Sequence, residues 1–109
     1  MVVFDYLLKE DLQNLNKQTM DFLIDCDTIH GKLLIRNRID GDAYQPVNRL
    51  NKKLKKLFNE EKVPLSKRSK MIIVADECGI VWTELFGVAN RCKIKKNTEK
   101  CIKISVVGE

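Results

Sequence analysis

Short runs in which apolar and polar residues alternate recur along this chain, and such runs are typical of strands that bury one face. Residues 22–29 form one run and residues 32–39 another, with His30 and Gly31 as a turn between them, so we expect a hairpin. Further strands are expected at residues 71–75, 80–83 and 101–107, with a turn over residues 76–79. Strands therefore dominate the predicted secondary structure.

One segment has a helical period instead. After the proline at position 46, four apolar residues fall within a stripe about 100° wide, as an amphipathic helix requires. Asn51 is the expected N-cap, and Pro64 should end the helix near Glu61. The apolar stripe consists of Leu50, Leu54, Leu57 and Phe58, and the opposite face carries Lys52, Lys53, Lys55 and Lys56.

Leucine spacing near the start of the chain predicts a second, short amphipathic helix over residues 6–17. We therefore expect residues 1–19 to be a helical lead-in to a domain that covers residues 20–109. Strands flank one main amphipathic helix without βαβ regularity, so the sequence predicts an α+β fold.

Basic residues are concentrated in the middle of the chain, whose formal net charge is +5. Residues 1–31 hold two Lys against six Asp or Glu, whereas residues 32–70 hold twelve Lys or Arg against four acids. A localised basic surface attracts phosphates by direct pairing and by release of counterions. The distribution favours a polyanionic partner.

Three groups of cations are candidate phosphate contacts. Arg36 and Arg38 lie two residues apart on a predicted strand, so their side chains should leave the same face. Lys52 and Lys53 would occupy the positive first turn of the predicted helix, where stability alone does not favour cations. The alternative is that the lysines are only a solvated face, as charge runs often are. The full candidate set is Arg36, Arg38, Lys52, Lys53, Lys55, Lys56, Lys67 and Arg68.

The sequence contains no GxxxxGK[ST] loop, no GxGxxG after a strand, no HExxH and no nucleophile elbow. Asp40 and Asp42 flank Gly41, and this tripeptide is typical of a turn rather than of paired acid and base groups. The aromatic residues are expected to pack in the core or in turns rather than to stack on bases. They include Tyr44, Phe58, Trp82 and Phe86.

The four cysteines include no CxxC pair, so we expect no metal site and free thiols that act as small hydrophobes in strands. No apolar run approaches bilayer length, and the N-terminus lacks a basic region and a cleavage site. We therefore expect no membrane contact and a cytoplasmic location.

Three ordered segments, LLIRNRIDGDAYQP, KKLKKLFNEEKVPLSKR and MIIVADECGIVW, resemble the C-terminal domain of bacterial tRNA(Ile)-lysidine synthetases. Three positions depart from the family pattern: Ala43 replaces a common Arg, Asn48 a common Gly, and Leu85 a Gly that usually follows the tryptophan by three. The structural motif residues are Asn37, Gly41, Asp42, Pro46 and Pro64; other matching positions include Arg36, Arg38, Lys53, Leu54, Phe58, Val63 and Arg68.

The resemblance implies a layered α+β domain with a β-sandwich-like sheet core and one main helix. It also implies a parent enzyme that adenylates the wobble cytidine of tRNA(Ile) with ATP and then joins lysine to it. ATP and lysine would bind an N-terminal domain with an SGGxDS loop, which this chain lacks, so we expect no cofactor and no activity here. The domain would grip the acceptor stem of tRNA(Ile) largely by shape.

A different class of function also fits the sequence. The chain could be a protein-interaction or dimerisation module that docks the remainder of the parent enzyme, or a second copy, through its basic face. Salt-sensitive self-association without affinity for RNA would favour this alternative.

Overall fold

The structure is a computed structural model that describes residues 1–14 and 22–107. Nine strands and two short helices lie within those ranges, together with 3-10 segments at Lys9–Asn14, Cys26–Thr28 and Asn90–Cys92. The helices are α1, Leu54–Glu60, and α2, Leu65–Arg68. The strands are β1 Val2–Leu8, β2 Leu23–Asp25, β3 Leu34–Arg36, β4 Ala43–Tyr44, β5 Lys52–Lys53, β6 Ile73–Asp76, β7 Gly79–Thr83, β8 Gly87–Val88 and β9 Lys100–Val106.

The strands form two antiparallel sheets and a short ribbon. One sheet has the order β1-β9-β2, the other has the order β3-β6-β7-β8, and β4 pairs with β5 in the ribbon. Few residues are helical, and no βαβ unit occurs among the described residues. The α+β class predicted from the sequence is confirmed.

The four-stranded sheet is the central layer. Its strands β6 and β7 are almost entirely buried, because one face meets the three-stranded sheet and the other meets α1. This explains why the two strands are nearly continuous apolar runs rather than alternating ones. The core between the sheets contains Ile24, Val74, Val81, Trp82, Val88, Cys92, Ile102 and Ile104, and the core under α1 contains Tyr44, Leu54, Leu57, Phe58, Met71, Ile73, Ile80 and Ala89.

Helix α1 is shorter than the sequence predicted. Leu54, Leu57 and Phe58 are buried as expected, but Leu50 is 74% exposed and lies before the helix. Asn51 is not the N-cap; Lys53 is, without a side-chain capping bond. The start shifts because β5 pairs with β4 immediately upstream, which holds residues 52 and 53 extended.

The hairpin predicted over residues 22–39 is wrong. Strand β2 pairs with β9, and β3 pairs with β6. The side-chain carboxylate of Asp25 accepts the Asp27 N–H at 2.9 Å, and the main-chain carbonyl of Asp25 accepts the Thr28 hydroxyl at 2.7 Å. These two bonds start a 3-10 turn at the end of β2. Local hydrogen bonding by Asp and Thr thus ends the strand before it can return on itself. By contrast, the β6–β7 hairpin and its turn over residues 76–79 are confirmed.

The predicted N-terminal helix is also wrong where the structure describes it. Residues 2–8 are strand β1, residues 9–14 form a 3-10 segment, and residues 15–19 lie outside the described part of the chain. Strand β1 pairs with β9 over its whole length, from Val2 opposite Val106 to Leu8 opposite Lys100. Backbone pairing of all seven β1 residues with β9 stabilises the strand more than the local leucine spacing favours a helix. The same pairing makes residues 2–8 part of the three-stranded sheet.

The cysteines do not all behave as the sequence predicted. Cys101 is a buried strand residue, but Cys92 is buried in a 3-10 segment and Cys78 is exposed in the β6–β7 turn. Burial raises the pKa of the Cys92 and Cys101 thiols, which disfavours reactive thiolates there. None of the helices described is long and apolar enough to cross a bilayer.

Asp76 ties three distant segments together at the end of β6. Its carboxylate accepts two hydrogen bonds from the Arg91 guanidinium, at 2.8 and 3.1 Å, and one from each of the His30 and Cys78 N–H groups. Burial disfavours the charged carboxylate, but these donors outweigh burial and hold the pKa of Asp76 below its ordinary value. This hub fixes the β2–β3 loop and the last 3-10 segment against the hairpin turn.

We expect Asp76→Ala to lower the free energy of unfolding by about 3 kcal/mol at pH 7, because the guanidinium and two N–H groups lose their acceptor. Urea denaturation measures this, with the exposed neighbour change Glu77→Ala as control, which should cost less than about 0.5 kcal/mol. Because the folded-state pKa is lowered, the stabilisation is present above about pH 4 and is lost as the pH falls through that lowered value. The two proteins should therefore converge in acid, and an undiminished gap at low pH would contradict this account.

Candidate nucleic-acid interface

Two arginines from separate parts of the chain meet on one aromatic ring. The guanidinium carbon of Arg38 lies 5.3 Å from the centroid of the Phe58 ring, and that of Arg68 lies 5.4 Å from the same centroid. Both distances are within the range of cation–π attraction. Arg38 follows β3 and Arg68 ends α2, so the fold gathers the two cations over α1. We call Arg38, Arg68 and Phe58 the arginine pair and its ring.

Arg68 is held in place by more than the ring. Its Nε donates to the Val63 carbonyl at 2.8 Å and its Nη1 donates to Asn59 Oδ1 at 2.9 Å. Pro64 is the N-cap of α2, four residues after the end of α1, and its φ of −59° is the value that the proline ring imposes. The side chain is therefore oriented before any ligand arrives.

Arg36 and Arg38 do not project side by side as the sequence predicted. Arg36 forms a two-pronged ion pair with Asp42, with N–O distances of 2.9 and 3.0 Å. Arg38 lies beyond the end of β3, 3.7 Å from the exposed carboxylate of Asp40. Because β3 stops at Arg36, the alternation that would have aligned the two side chains ends there. Arg36 is a structural residue of the turn and Arg38 faces the ring.

Asp42 organises the turn that the sequence predicted over residues 40–42. Besides pairing with Arg36, its carboxylate accepts the Ile39 N–H at 2.8 Å, and its carbonyl accepts the Leu54 N–H at 2.9 Å. Burial opposes ionisation, but the Arg36 and Ile39 donors outweigh it and lower the pKa of Asp42. Gly41 has a φ of 92°, a backbone conformation that glycine adopts without strain. The end of β3 and the start of α1 are thus joined through one residue.

The lysines predicted to share a helix face fall into two groups. Lys52 and Lys53 belong to β5, and Lys52 pairs with Glu60 at 2.9 Å. The hydrogen bond from Lys52 lowers the pKa of Glu60. Lys55 and Lys56 are exposed on the first turn of α1. Together with Lys53 and Lys67 they form no ion pair with another described residue.

Acids at the end of α1 reach back toward cations that precede it. Arg49 pairs with Glu61 in the same way that Lys52 pairs with Glu60. Residue spacing could not show that pairing, because it spans eight residues in one case and twelve in the other. It explains how the acids at the negative end of the helix are accommodated.

The remaining motif residues have structural roles. Asn37 donates from its side chain to the Met71 carbonyl at 3.3 Å, and Pro46 is buried and bridges to Ala89. Asn48 has a φ of 64°, which accounts for the departure from glycine there, because Asn tolerates the left-handed region better than most residues.

Tyr44, Phe58 and Trp82 are buried in the two cores as expected, whereas Phe86 is only partly buried and packs against Phe58. Sequence reasoning missed the basic run over residues 91–96, RCKIKK, because the net charge of the last third of the chain is close to zero. Counting charge in shorter windows would have found it. The contribution of the eight candidate cations to binding stays a prediction.

Comparison with known proteins gives consistent similarities. Residues 33–106 match the family model described as the TilS substrate C-terminal domain. The chain is 33% identical to the tRNA(Ile)-lysidine synthase of Caldanaerobacter subterraneus subsp. tengcongensis, over 90% of this chain and 21% of that protein. It is 31% identical to that of Clostridium tetani, over 78% of this chain and 18% of that protein. The chain thus spans about a fifth of the length of these relatives.

The fold has also been solved in a similar protein. The crystal structure of a TilS C-terminal domain matches 99% of this chain and 85% of its own, with a TM-score of 0.75 and 21% sequence identity. This match supports the layered architecture described above.

We expect Asp42→Ala to reduce the free energy of unfolding by about 2 kcal/mol, because Arg36 and the Ile39 N–H lose a shared, largely buried acceptor. Asp40→Ala, two residues away in the same turn, removes an exposed carboxylate and should change stability by less than about 0.5 kcal/mol. Equal effects in thermal or urea denaturation would show that Asp42 does not organise the turn.

Proposed function

This chain belongs to the TilS substrate C-terminal domain family, and from that membership we propose that it binds tRNA for a tRNA(Ile)-lysidine synthase. In this proposal the domain holds the acceptor stem of tRNA(Ile), while another part of the enzyme uses ATP to convert the wobble cytidine to lysidine. The chain itself contributes binding and positioning in the cytoplasm. Incubated alone with tRNA, ATP and lysine, it should incorporate no lysine.

The observation that carries the proposal is the arginine pair on the Phe58 ring. Phe58 is fully buried, so the two guanidinium groups rest on a rigid base. A guanidinium presents several N–H donors in one plane, which suits two oxygens of a phosphate. Two such groups held by one ring lose little side-chain entropy on binding.

Exposed lysines add positive charge to the two helices that carry Phe58 and Arg68. Lys55 and Lys56 lie on the helix that carries Phe58, and Lys67 precedes Arg68 in α2. A duplex RNA stem offers phosphates and 2′-hydroxyls but hides its base edges in a narrow major groove. A basic surface with few exposed aromatic side chains is suited to such a backbone. Binding by shape and charge follows from this match.

The test is charge reversal of the exposed lysines that form no ion pair. The triple variant Lys53→Glu, Lys55→Glu, Lys56→Glu should weaken binding of a tRNA acceptor-stem hairpin at least about tenfold. Each lost phosphate contact should also reduce the slope of log affinity against log salt by up to about 0.9. Fluorescence anisotropy over a salt series measures both quantities. Lys52 is left intact because it pairs with Glu60.

A matched control separates local contact from total charge. Lys9→Glu, Lys32→Glu, Lys100→Glu makes the same change in net charge at exposed positions in or beside β1, β3 and β9. It should lose much less affinity than the triple variant on β5 and α1. Equal losses in the two proteins would show that the basic surface is not the contact.

One observation favours the alternative of a protein-interaction module. Tyr6 on β1 is 71% exposed and lines a groove of about 590 Å³ together with Phe4, Ile29 and Leu33. Leu8 on the same strand is 50% exposed. Exposed apolar groups of this kind are typical of contact surfaces. Sedimentation without RNA should show a monomer under our proposal. Self-association together with no RNA affinity would establish the alternative instead.

A further inference from the structure

A cavity of about 550 Å³ has Phe86 in its wall, and Phe86 packs on the ring of Phe58. Its walls include the apolar residues Phe22, Trp82, Leu85 and Phe86, and polar groups come from Asn48, Glu84 and Lys93. Phe22 and Leu85 are 41% and 44% exposed, so part of the apolar wall faces solvent. The volume is within the range of small-ligand sites. Mixed aromatic and polar walls of this size suit a nucleotide.

We propose that this cavity binds a single unpaired nucleotide of the RNA whose duplex part lies on the arginine pair. The inference rests on the proposed function, because it assigns a second subsite to the same ligand. A stem that ends in an unpaired extension presents both elements together.

The position of the cavity relative to the arginine pair supports one continuous ligand. Phe86 forms part of the cavity wall, and its ring packs on Phe58 with 5.6 Å between centroids. Phe58 in turn carries Arg38 and Arg68. Two phenyl rings, Phe86 and Phe58, therefore connect the cavity wall to the two guanidinium groups, so nearby nucleotides of one RNA could occupy both places.

The charge beside the cavity matches a nucleotide's phosphate. Lys93 and Glu84 both lie at the wall, and Lys95 and Lys96 follow Lys93 as exposed side chains. Glu84 accepts the Ile72 N–H at 3.3 Å, and the three lysines leave an excess of positive charge over this one carboxylate. None of the three is in an ion pair with any residue that the structure describes. An apolar peptide would gain nothing from this cluster, whereas a phosphodiester would pair with it. In this proposal the basic run over residues 91–96 supplies the cations that pair with the phosphate of the unpaired nucleotide.

Hydrogen bonds of the buried Thr98 fix the loop that carries these lysines. Thr98 is 2% exposed; its hydroxyl accepts the Lys95 N–H at 2.9 Å and donates to Asp25 Oδ2 at 3.0 Å. The Thr98 N–H also donates to the Lys95 carbonyl. A rigid loop places Lys93 and its neighbours without a large entropy loss on binding.

The apolar wall explains how the base would be held. Bases stack on aromatic and apolar side chains whatever their identity, because every base has a π-face. Phe22 and Phe86 offer such surfaces on the described wall. The subsite should therefore tolerate different bases and respond mainly to the presence of an unpaired nucleotide.

The experiment compares two RNA hairpins with one duplex sequence, one blunt and one with a short unpaired 3′ extension. The intact chain should bind the extended hairpin at least about fivefold more tightly, as a stacked base would provide. Trp82 is the one tryptophan of the chain and lies at the cavity, so its emission should change only with the extended RNA. Lys93→Glu should abolish the gain and leave blunt-hairpin affinity nearly unchanged.

Two further variants complete the design. Leu85→Glu places a carboxylate at the exposed rim and should also abolish the gain, while Lys32→Glu makes the Lys93 charge change beside a different groove and should preserve it. Equal affinity for the two hairpins with unchanged Trp82 emission would overturn the subsite and leave the proposed function standing. Failure to bind either hairpin would overturn both. An equal loss on both hairpins for Lys93→Glu would place Lys93 on the duplex and also overturn the subsite.

Discussion

The burial of the Phe58 ring is the interaction on which both the core and the basic surface depend. The ring packs with residues of the central sheet and with Phe86, and two guanidinium groups lie within 5.4 Å of its centroid. Removing a fully buried phenyl group usually costs several kcal/mol, because packing contacts and transfer energy are lost together. Here the same loss would also remove the ring on which the guanidinium groups of Arg38 and Arg68 lie. A single packing residue thus links stability to the geometry of the candidate interface.

Acidic residues decide which cations of the middle segment are available to a ligand. Arg36, Arg49 and Lys52 are engaged by Asp42, Glu61 and Glu60. Arg38 lies 3.7 Å from Asp40, whose carboxylate is fully exposed to solvent. A pair such as Lys52 with Glu60 is exposed, so it contributes little to stability, but it offsets a charge that a count along the sequence treats as free. The excess positive charge of the segment is consequently presented by fewer side chains than its composition indicates.

The period of apolar residues predicted the elements that local interactions determine and missed those that depend on pairing with a distant strand. Leu54, Leu57 and Phe58 were placed correctly because a helix on a sheet buries one face whatever the remaining topology. The β6–β7 hairpin was found because the Asp and Gly of its turn act locally. Strand β1 was missed because its conformation depends on β9, nearly a hundred residues away, which no local pattern records.

The candidate interface was predictable in its residue types but not in its geometry. Its charge excess follows from composition, and Arg38 and Arg68 were both named from the sequence. The sequence could not predict that the two arginines meet on one ring, because this depends on where β3 ends and on how Pro64 turns the chain after α1. Conversely, the strand alternation predicted that Arg36 would contact phosphate, but its guanidinium forms a structural ion pair with Asp42. Side chains that share a spacing in sequence share a function only if the backbone between them keeps one regular conformation, and here it does not.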